Sequence, residues 1–437
     1  MTDSGGIRIE LARPGGRWIF LCSVFLLAGA ISYAAGKAAL AAYWDDGADP
    51  GLWRKAAELE PENARYWLHL GVYHQENLLH PDERRALVEF RRAAQANPHS
   101  DEVWLYLARA SEDVGDVAAA CSAYQQAMAC HPISAEVAWR YGSFLIRQAD
   151  IPAAYKQIRQ AIREDPSLTP AAIAQFWEAG QGPLEILEEL LPAQPDAGFM
   201  TLNYFISRHQ TAPALLVWNR MLELHQPIRM QQALPLVDEL IRQNQIHDAI
   251  RSWRAALRAS AWSTEEPPGG SLIFDGGFEH DLLNGGFAWR EIPVDGVHYA
   301  FDNGVAHSGA RSLRVEFDGS ANLDFAQVLQ YVAVEPMRRY RFAAFLRTEA
   351  VRTESGVRFE IEDARSPGAL TLFTPNLTGT NPWTEAEIVF RTGPQTDLLL
   401  LTLRRTPSRK LDNKLSGTVW VDAVSLVPAR NDGDSVP

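Results

Sequence analysis

Pro98, Pro132 and Pro166 stand one 34-residue period apart, and each closes the same pattern of small and aromatic residues. A fixed period of this length marks a repeat array, in which one unit cannot bury its apolar face until a neighbour stacks on it. The unit ending at Pro132 reads Trp104, Leu107, Ala108, Ala120, Tyr124, Ala127. Small Ala120 and Ala127 let two antiparallel helices approach, Trp104 and Tyr124 fill the space between them, and Pro132 stops the second helix. The next unit keeps the register with Tyr141, Gly142, Leu145, Ala154, Ile158, Ala161 and Pro166, its bulky opening residue displaced one place to Trp139. The preceding unit has Trp67, Leu70, Gly71, Ala86, Phe90, Ala93 and Pro98, with a longer turn around Leu78, Leu79, His80 and Pro81. Lengthening a turn costs little loop-closure entropy.

These residues resemble the tetratricopeptide repeat, which implies an α-solenoid of helical hairpins whose inner curve receives a protein partner. A partial unit, Ala56 to Pro61, is placed to cap the array. Ala214, Trp218, Met221 and Ala249, Trp253, Ala256 share one spacing 35 residues apart and read as degenerate second helices, so the solenoid is expected over residues 37–262. First helices of successive units line up Leu68, Leu105, Trp139 and Ile173, with Val72 and Trp177 beside them. Exposed, these six form a groove for a partner helix or extended peptide; packed against neighbouring repeats, they form core.

From Trp18 to Gly36 there are 19 residues without a charge, near the roughly 20 that cross a bilayer as a helix. Arg8, Arg13 and Arg17 lie on the amino side, and only Lys37 precedes Asp45, Asp46 and Asp49 on the other. The expectation is a single-pass anchor over 18–36 in the cytoplasmic membrane, with residues 1–17 cytoplasmic and the body extracytoplasmic or periplasmic. A cleaved leader ending near Ser32, Tyr33 and Ala34 competes with it, and the apolar run exceeds the roughly 7 to 15 residues of a leader's core. A net charge of −13 argues against a nucleic-acid partner, which needs a surplus of Lys and Arg. Cys121 and Cys130, on one expected helix about half a turn out of phase, cannot bridge without breaking it.

Residues 263–270 read as a Pro- and Gly-rich linker, and beyond them the helical period gives way to alternation. Leu313, Val315, Phe317, then Tyr340, Phe342, Ala344, Leu346, then Val357, Phe359, Ile361, then Val419, Val421, Ala423 each mark one face of a strand. Eight to ten strands over residues 271–429 imply a two-sheet sandwich, followed by a tail at 430–437. Leu272 to Glu279, His307 to Val315, Gln330 to Pro336, Trp383 and Gly417 to Leu426 together resemble the carbohydrate-binding jelly rolls of the galactose-binding-like superfamily. That resemblance nominates Glu279 and Asp422 as ligands of a structural calcium ion, which takes hard oxygens; the alternative is that both cap turns or pair with Arg311. On the faces opposite the apolar stripes Phe345 and Arg347 are candidate glycan contacts, and Tyr299 and Phe301 are candidates for lining an edge site.

The fold expected is thus α + β and multidomain: a transmembrane helix, a solenoid and a jelly roll. The histidines are scattered, and the sequence holds no H-E-x-x-H, no G-x-S-x-G, no P-loop and no dinucleotide fingerprint, so catalysis is not expected. The function expected is a non-catalytic envelope scaffold that recruits proteins through the groove, in exopolysaccharide assembly or export. The alternative is a glycan-binding adaptor acting through the jelly roll.

Overall fold

The structure, a computed structural model, describes residues 14–47, 49–77, 81–191, 196–260, 262, 270–411 and 413–429. Residues 1–13 of the expected cytoplasmic tail, the turn insertion at 78–80, linker residues 263–269 and the tail 430–437 lie outside the described residues. The chain divides into two compact units, Met1–Pro192 and Ala193–Pro437.

The first unit is a run of helical hairpins: α1 (Pro14–Asp45), α2 (Pro50–Leu59), α3 (Ala64–Glu76), α4 (Glu83–Ala96), α5 (Asp101–Asp113), α6 (Val117–Cys130), α7 (Ala135–Arg147), α8 (Ile151–Glu164), α9 (Thr169–Glu178) and a short α10 (Pro183–Glu185) that runs into a π turn, Ile186–Leu190. The pairs α3–α4, α5–α6 and α7–α8 are the tetratricopeptide-type units. Ala86, Ala93, Ala120, Ala127, Ala154 and Ala161 are fully buried, as close helix approach requires. Gly71 and Gly142 occupy the tightest point, where a Cβ would overlap the Phe90 ring or come within 2.6 Å of Ile158. Each second helix begins at an aspartate, Asp82, Asp116 or Asp150, whose side chain accepts the backbone N–H three residues on. Ser100 and Ser134 cap α5 and α7 likewise; such caps contribute about 1 kcal/mol each.

The repeat tryptophans have a second task. The indole N–H of Trp67 donates to Pro61 O at 3.0 Å and that of Trp104 to Pro98 O at 2.9 Å, so each ties its helix to the proline that ended the helix before. In the third unit, where the tryptophan is displaced to Trp139, the carbonyl of Pro132 is taken instead by the Gln160 amide from α8.

The amino-terminal helix does not stop at the apolar run. α1 continues through Lys37 to Asp45 as the first helix of a hairpin with α2: Ala41 is fully buried, Lys37 pairs with Glu62 at 3.2 Å, and buried Asp45 pairs with Arg65 at 3.3 Å and His69 at 2.8 Å. Ala56 and Ala57 of α2, the expected cap, pack beside it with no exposure.

The second unit holds α11 (Ala197–Ser207), α12 (Thr211–Glu223), α13 (Met230–Arg242) and α14 (Ile246–Ala259) together with ten strands. Ala214, Trp218 and Met221 lie buried on α12, and Ala249, Trp253 and Ala256 on α14, as the spacing predicts. The strands are β1 (Arg290–Glu291), β2 (Val297–Asp302), β3 (Ser312–Asp318), β4 (Phe325–Ala333), β5 (Arg339–Arg352), β6 (Arg358–Asp363), β7 (Thr371–Phe373), β8 (Gly379–Arg391), β9 (Leu398–Arg405) and β10 (Ser416–Pro428). They form two antiparallel five-stranded sheets, β1-β4-β9-β6-β7 and β2-β3-β10-β5-β8. Alternating residues of both inner faces make one core around Phe278, Trp289, Phe325, Tyr340, Phe342 and Phe359.

One expected strand face needs correction. Val419 and Val421 point into the core, but the register of β10 against β5 shifts between Asp422 and Ser425, and Ala423 has φ 47°. This bulge removes Ala423 from the inner face and puts Val424 and Leu426 there. It also leaves Asp422 fully buried, with consequences for the loops around it.

The helices of this unit bond directly to the sandwich. Asp238 of α13 accepts the Gly286 N–H at 2.7 Å and the Arg290 guanidinium at 2.6 Å. Trp253 of α14 meets Phe274 and Phe287 edge-on, at ring separations of 5.2 and 6.1 Å. Arg365 reaches the carbonyl of Asn244 at 3.2 Å. Apolar rings and a shared carboxylate therefore cover the α13–α14 hairpin with the sandwich, so its apolar face is not left exposed.

Candidate functional site

In the first unit, the first helices α3, α5, α7 and α9 are joined by polar contacts. Gln75 donates to Asp113 at 2.7 Å, Arg147 to Glu112 at 2.7 Å, and Gln175 to Ser143 at 3.1 Å. Glu112 also accepts the Tyr124 hydroxyl at 2.6 Å, and burial together with that carboxylate pushes the Tyr124 phenol well above its ordinary pKa. The partners stand 38, 35 and 32 residues apart, close to one repeat length. That spacing was a usable signal, which the apolar pattern alone did not reveal.

Of the six expected groove residues, Leu68, Val72, Trp139 and Trp177 are half-buried on this set of helices. Leu105 is 6% exposed and Ile173 is fully buried, which corrects their placement. α5 is flanked on both sides, by α3 and α7, and Ile173 is covered where α9 meets α8 and the π turn; neither has surface to give a partner.

On the sandwich the expected glycan contacts separate. Tyr299 and Phe301 pack against the core. The Tyr299 hydroxyl donates to Ile292 O at 3.1 Å, and the Arg311 guanidinium lies 4.0 Å over the Phe301 ring, both on edge strand β2. Tyr299 also borders an open surface depression of about 610 Å³ with Glu291, Val294 and Asp295. Phe345 and Arg347 alternate with the core-facing Leu346 and point outward from β5. There the His307 ring stacks on Phe345 at 3.6 Å and meets Trp383 edge-on at 5.7 Å. Arg347 lies 5.1 Å over Trp420, whose indole donates to Asp302 at 2.9 Å. His307, Trp383 and Trp420 come from separate strands and loops, so no period announced the cluster.

Glu279 and Asp422 both come to Gly277, where a Cβ would lie 3.8 Å from an oxygen of each. Asp422 accepts backbone N–H groups of His307, Ser308 and Ala423 at 2.7, 2.9 and 2.6 Å, and Glu279 accepts that of Ala310 at 2.9 Å. Arg311 pairs with Asp281 at 3.2 Å. The pair is of the hard-oxygen kind that calcium takes. Among the described residues no group of three Asp, Glu, His or Cys forms around it, so the two carboxylates supply only part of the six to eight oxygens calcium takes.

No family model matches the chain, and no curated protein matches it. Among solved structures it is similar to a family 16 carbohydrate-binding module, with 19% identity over 36% of this chain and 99% of that one at a TM-score of 0.25. It is similar to MamA, with 13% identity over 48% of this chain and 86% of that one at 0.25. It is also similar to pilF of Pseudomonas aeruginosa, with 20% identity over 46% of this chain and 93% of that one at 0.26.

Proposed function

We propose that the chain is a membrane-anchored, non-catalytic scaffold of the cell envelope, with its body on the extracytoplasmic side, recruiting protein partners through the face of α3, α7 and α9 in exopolysaccharide assembly or export. The observation that carries this reading is α1. Among the described residues it is the one helix long and apolar enough to cross a bilayer, and the same unbroken helix ends as a packed, ion-paired member of the first hairpin. An anchor that positions a solenoid needs such a continuous helix. Alkaline carbonate extraction should leave the protein in the membrane pellet. A photo-crosslinking residue at position 139 should yield a discrete protein adduct that the same residue at exposed position 122 does not. Release by carbonate, or identical adducts at both positions, would overturn the proposal.

A second reading, glycan binding by the sandwich, is favoured by the outward cluster of exposed His307 with half-buried Phe345 and Trp383, since aromatic surface with a polar handle suits a partly apolar sugar face. Saturable binding of a neutral polysaccharide by the whole chain, lost in Trp383→Ala, would support it; silence would leave the scaffold alone. Structural calcium held by Glu279 and Asp422 belongs to the same proposal, and a thermal midpoint that is the same in calcium and in EDTA would remove it.

A further inference from the structure

The second helix of the α3–α4 hairpin carries a face that the groove does not use. Exposed Glu83 aside, which lies about 100° round the helix from Arg84, the side chains of α4 turned away from buried Ala86, Leu87, Glu89, Phe90, Ala93 and Ala94 are Arg84, Arg85, Val88, Arg91, Arg92 and Gln95, all but one polar and none acidic. At 100° per residue they share about a third of the helix circumference. Arg54 of α2 is engaged elsewhere, its guanidinium 3.7 Å from buried Glu89. Four guanidinium groups thus gather on a chain of net charge −13, and the next second helix, α6, has no charged side chain. Arg85 is partly neutralised by Asp82 at 3.0 Å, and Arg92 lies 4.6 Å over the Trp67 ring. Arg84 and Arg91 have no ion pair among the described residues.

We propose that this strip binds an extended acidic polysaccharide of the polyuronate class. Guanidinium forks match carboxylates in bidentate geometry. The pairs Arg84–Arg85 and Arg91–Arg92 lie two helical turns apart, about 11 Å, a separation that a chain bearing regularly repeated carboxylates spans and a single anion does not. A lipid surface fits less well. Lys37 meets Glu62 and Asp45 meets Arg65 and His69, so α1 and α3 run side by side in one direction and α4 returns beside α3. The strip therefore runs along the direction of the membrane-crossing helix, and a bilayer would touch only one end of it. An acidic peptide fits less well too, because Val88, 47% exposed, is the strip's one apolar side chain.

The test uses the full chain in neutral-lipid nanodiscs and a fluorescein-labelled polygalacturonate oligomer, read by anisotropy. Binding is expected at low salt, weakening steeply as salt screens the charges, with no competition from neutral dextran. The double variant Arg84→Gln/Arg91→Gln, at exposed positions that leave the helical circular dichroism unchanged, should bind about tenfold more weakly or worse. The proposal is overturned by the absence of polygalacturonate binding at low salt or by equal binding of the variant. Stronger competition by polyglutamate would reassign the strip to an acidic protein, and strip-dependent binding to phosphatidylglycerol vesicles would reassign it to the membrane. None of these outcomes touches the adduct at position 139, so the strip and the groove stand or fall separately.

Discussion

The hairpins of the first unit and the sandwich of the second are held together over different distances along the chain. In the hairpins the deciding contacts reach six residues, as from Trp104 to Pro98, or about one repeat, as from Arg147 to Glu112, 35 residues away. In the sandwich they reach much further. Asp422 holds the loop at His307 across 115 residues, and Trp420 meets Asp302 across 118. Fully buried Arg405 donates to Asn322 Oδ1 at 2.7 Å across 83 residues, and to the carbonyls of Ser355 and Asn413. Burial holds the Arg405 guanidinium below its usual pKa. Damage should accordingly stay local in a repeat array, whose units couple only to neighbours, and spread through a sandwich closed by distant pairings.

The largest expected effect is in the sandwich. A Cβ at position 276 would overlap the carbonyl oxygen of Val424, a backbone atom that cannot swing away. Gly276→Ala should cost about 3 kcal/mol and abolish near-ultraviolet circular dichroism from the whole sandwich in one transition. Softening confined to residues 271–279 would break the contrast. Next comes Asp238→Ala, which leaves the Gly286 N–H and the Arg290 guanidinium without their acceptor. It should cost about 2 kcal/mol and split one unfolding transition of the second unit into two; an unsplit transition would mean that Trp253, Phe274 and Phe287 suffice to couple helices and sandwich.

The corresponding change in a hairpin should be milder. In Gly142→Ala the new Cβ lies 2.6 Å from Cγ1 and Cδ1 of fully buried Ile158, a side chain rather than backbone, and the gain in helix propensity of about 1 kcal/mol offsets part of an overpacking cost of about 1 to 3 kcal/mol. A net loss of about 1 kcal/mol is expected, visible in hydrogen exchange only in α7 and α8. The smallest effect concerns Glu89. Burial pushes its carboxyl above the ordinary carboxylate range, although His74 at 2.7 Å and Arg54 pull the other way. The stability this group contributes is full below its ordinary pKa of about 4.3 and is lost as pH rises through the raised value. Glu89→Gln should flatten the fall in stability over that range in urea denaturation; an unchanged slope would show that His74 and Arg54 cancel the burial.

Residue spacing made the hairpins legible because each repeat solves the same packing problem with the same residue types, down to the degenerate α12 and α14. Asp82, Asp116 and Asp150 carried the same period in their caps. The extension of α1 into the first hairpin was hidden, since Ala38 to Ala42 reads equally as the fringe of an apolar span and as a helix face. Strand faces followed from alternation until the bulge at Ala423, where φ turns positive and the period slips by one. The sites were less visible. Leu105 and Ile173 have the composition of groove residues, and only their neighbours on both sides bury them. Phe345 and Trp383 acquire a shared surface through His307, which sits in a loop no pattern placed beside them.

Hydrogen exchange of the full chain, followed by mass spectrometry residue by residue, tests the contrast most directly. Helices between residues 50 and 178 should lose protection hairpin by hairpin, in steps of different free energy, while α11 to α14 open together with the strands of residues 290–428 in a single step. Helices α11 to α14 exchanging with the first unit, or long before the strands, would contradict the account.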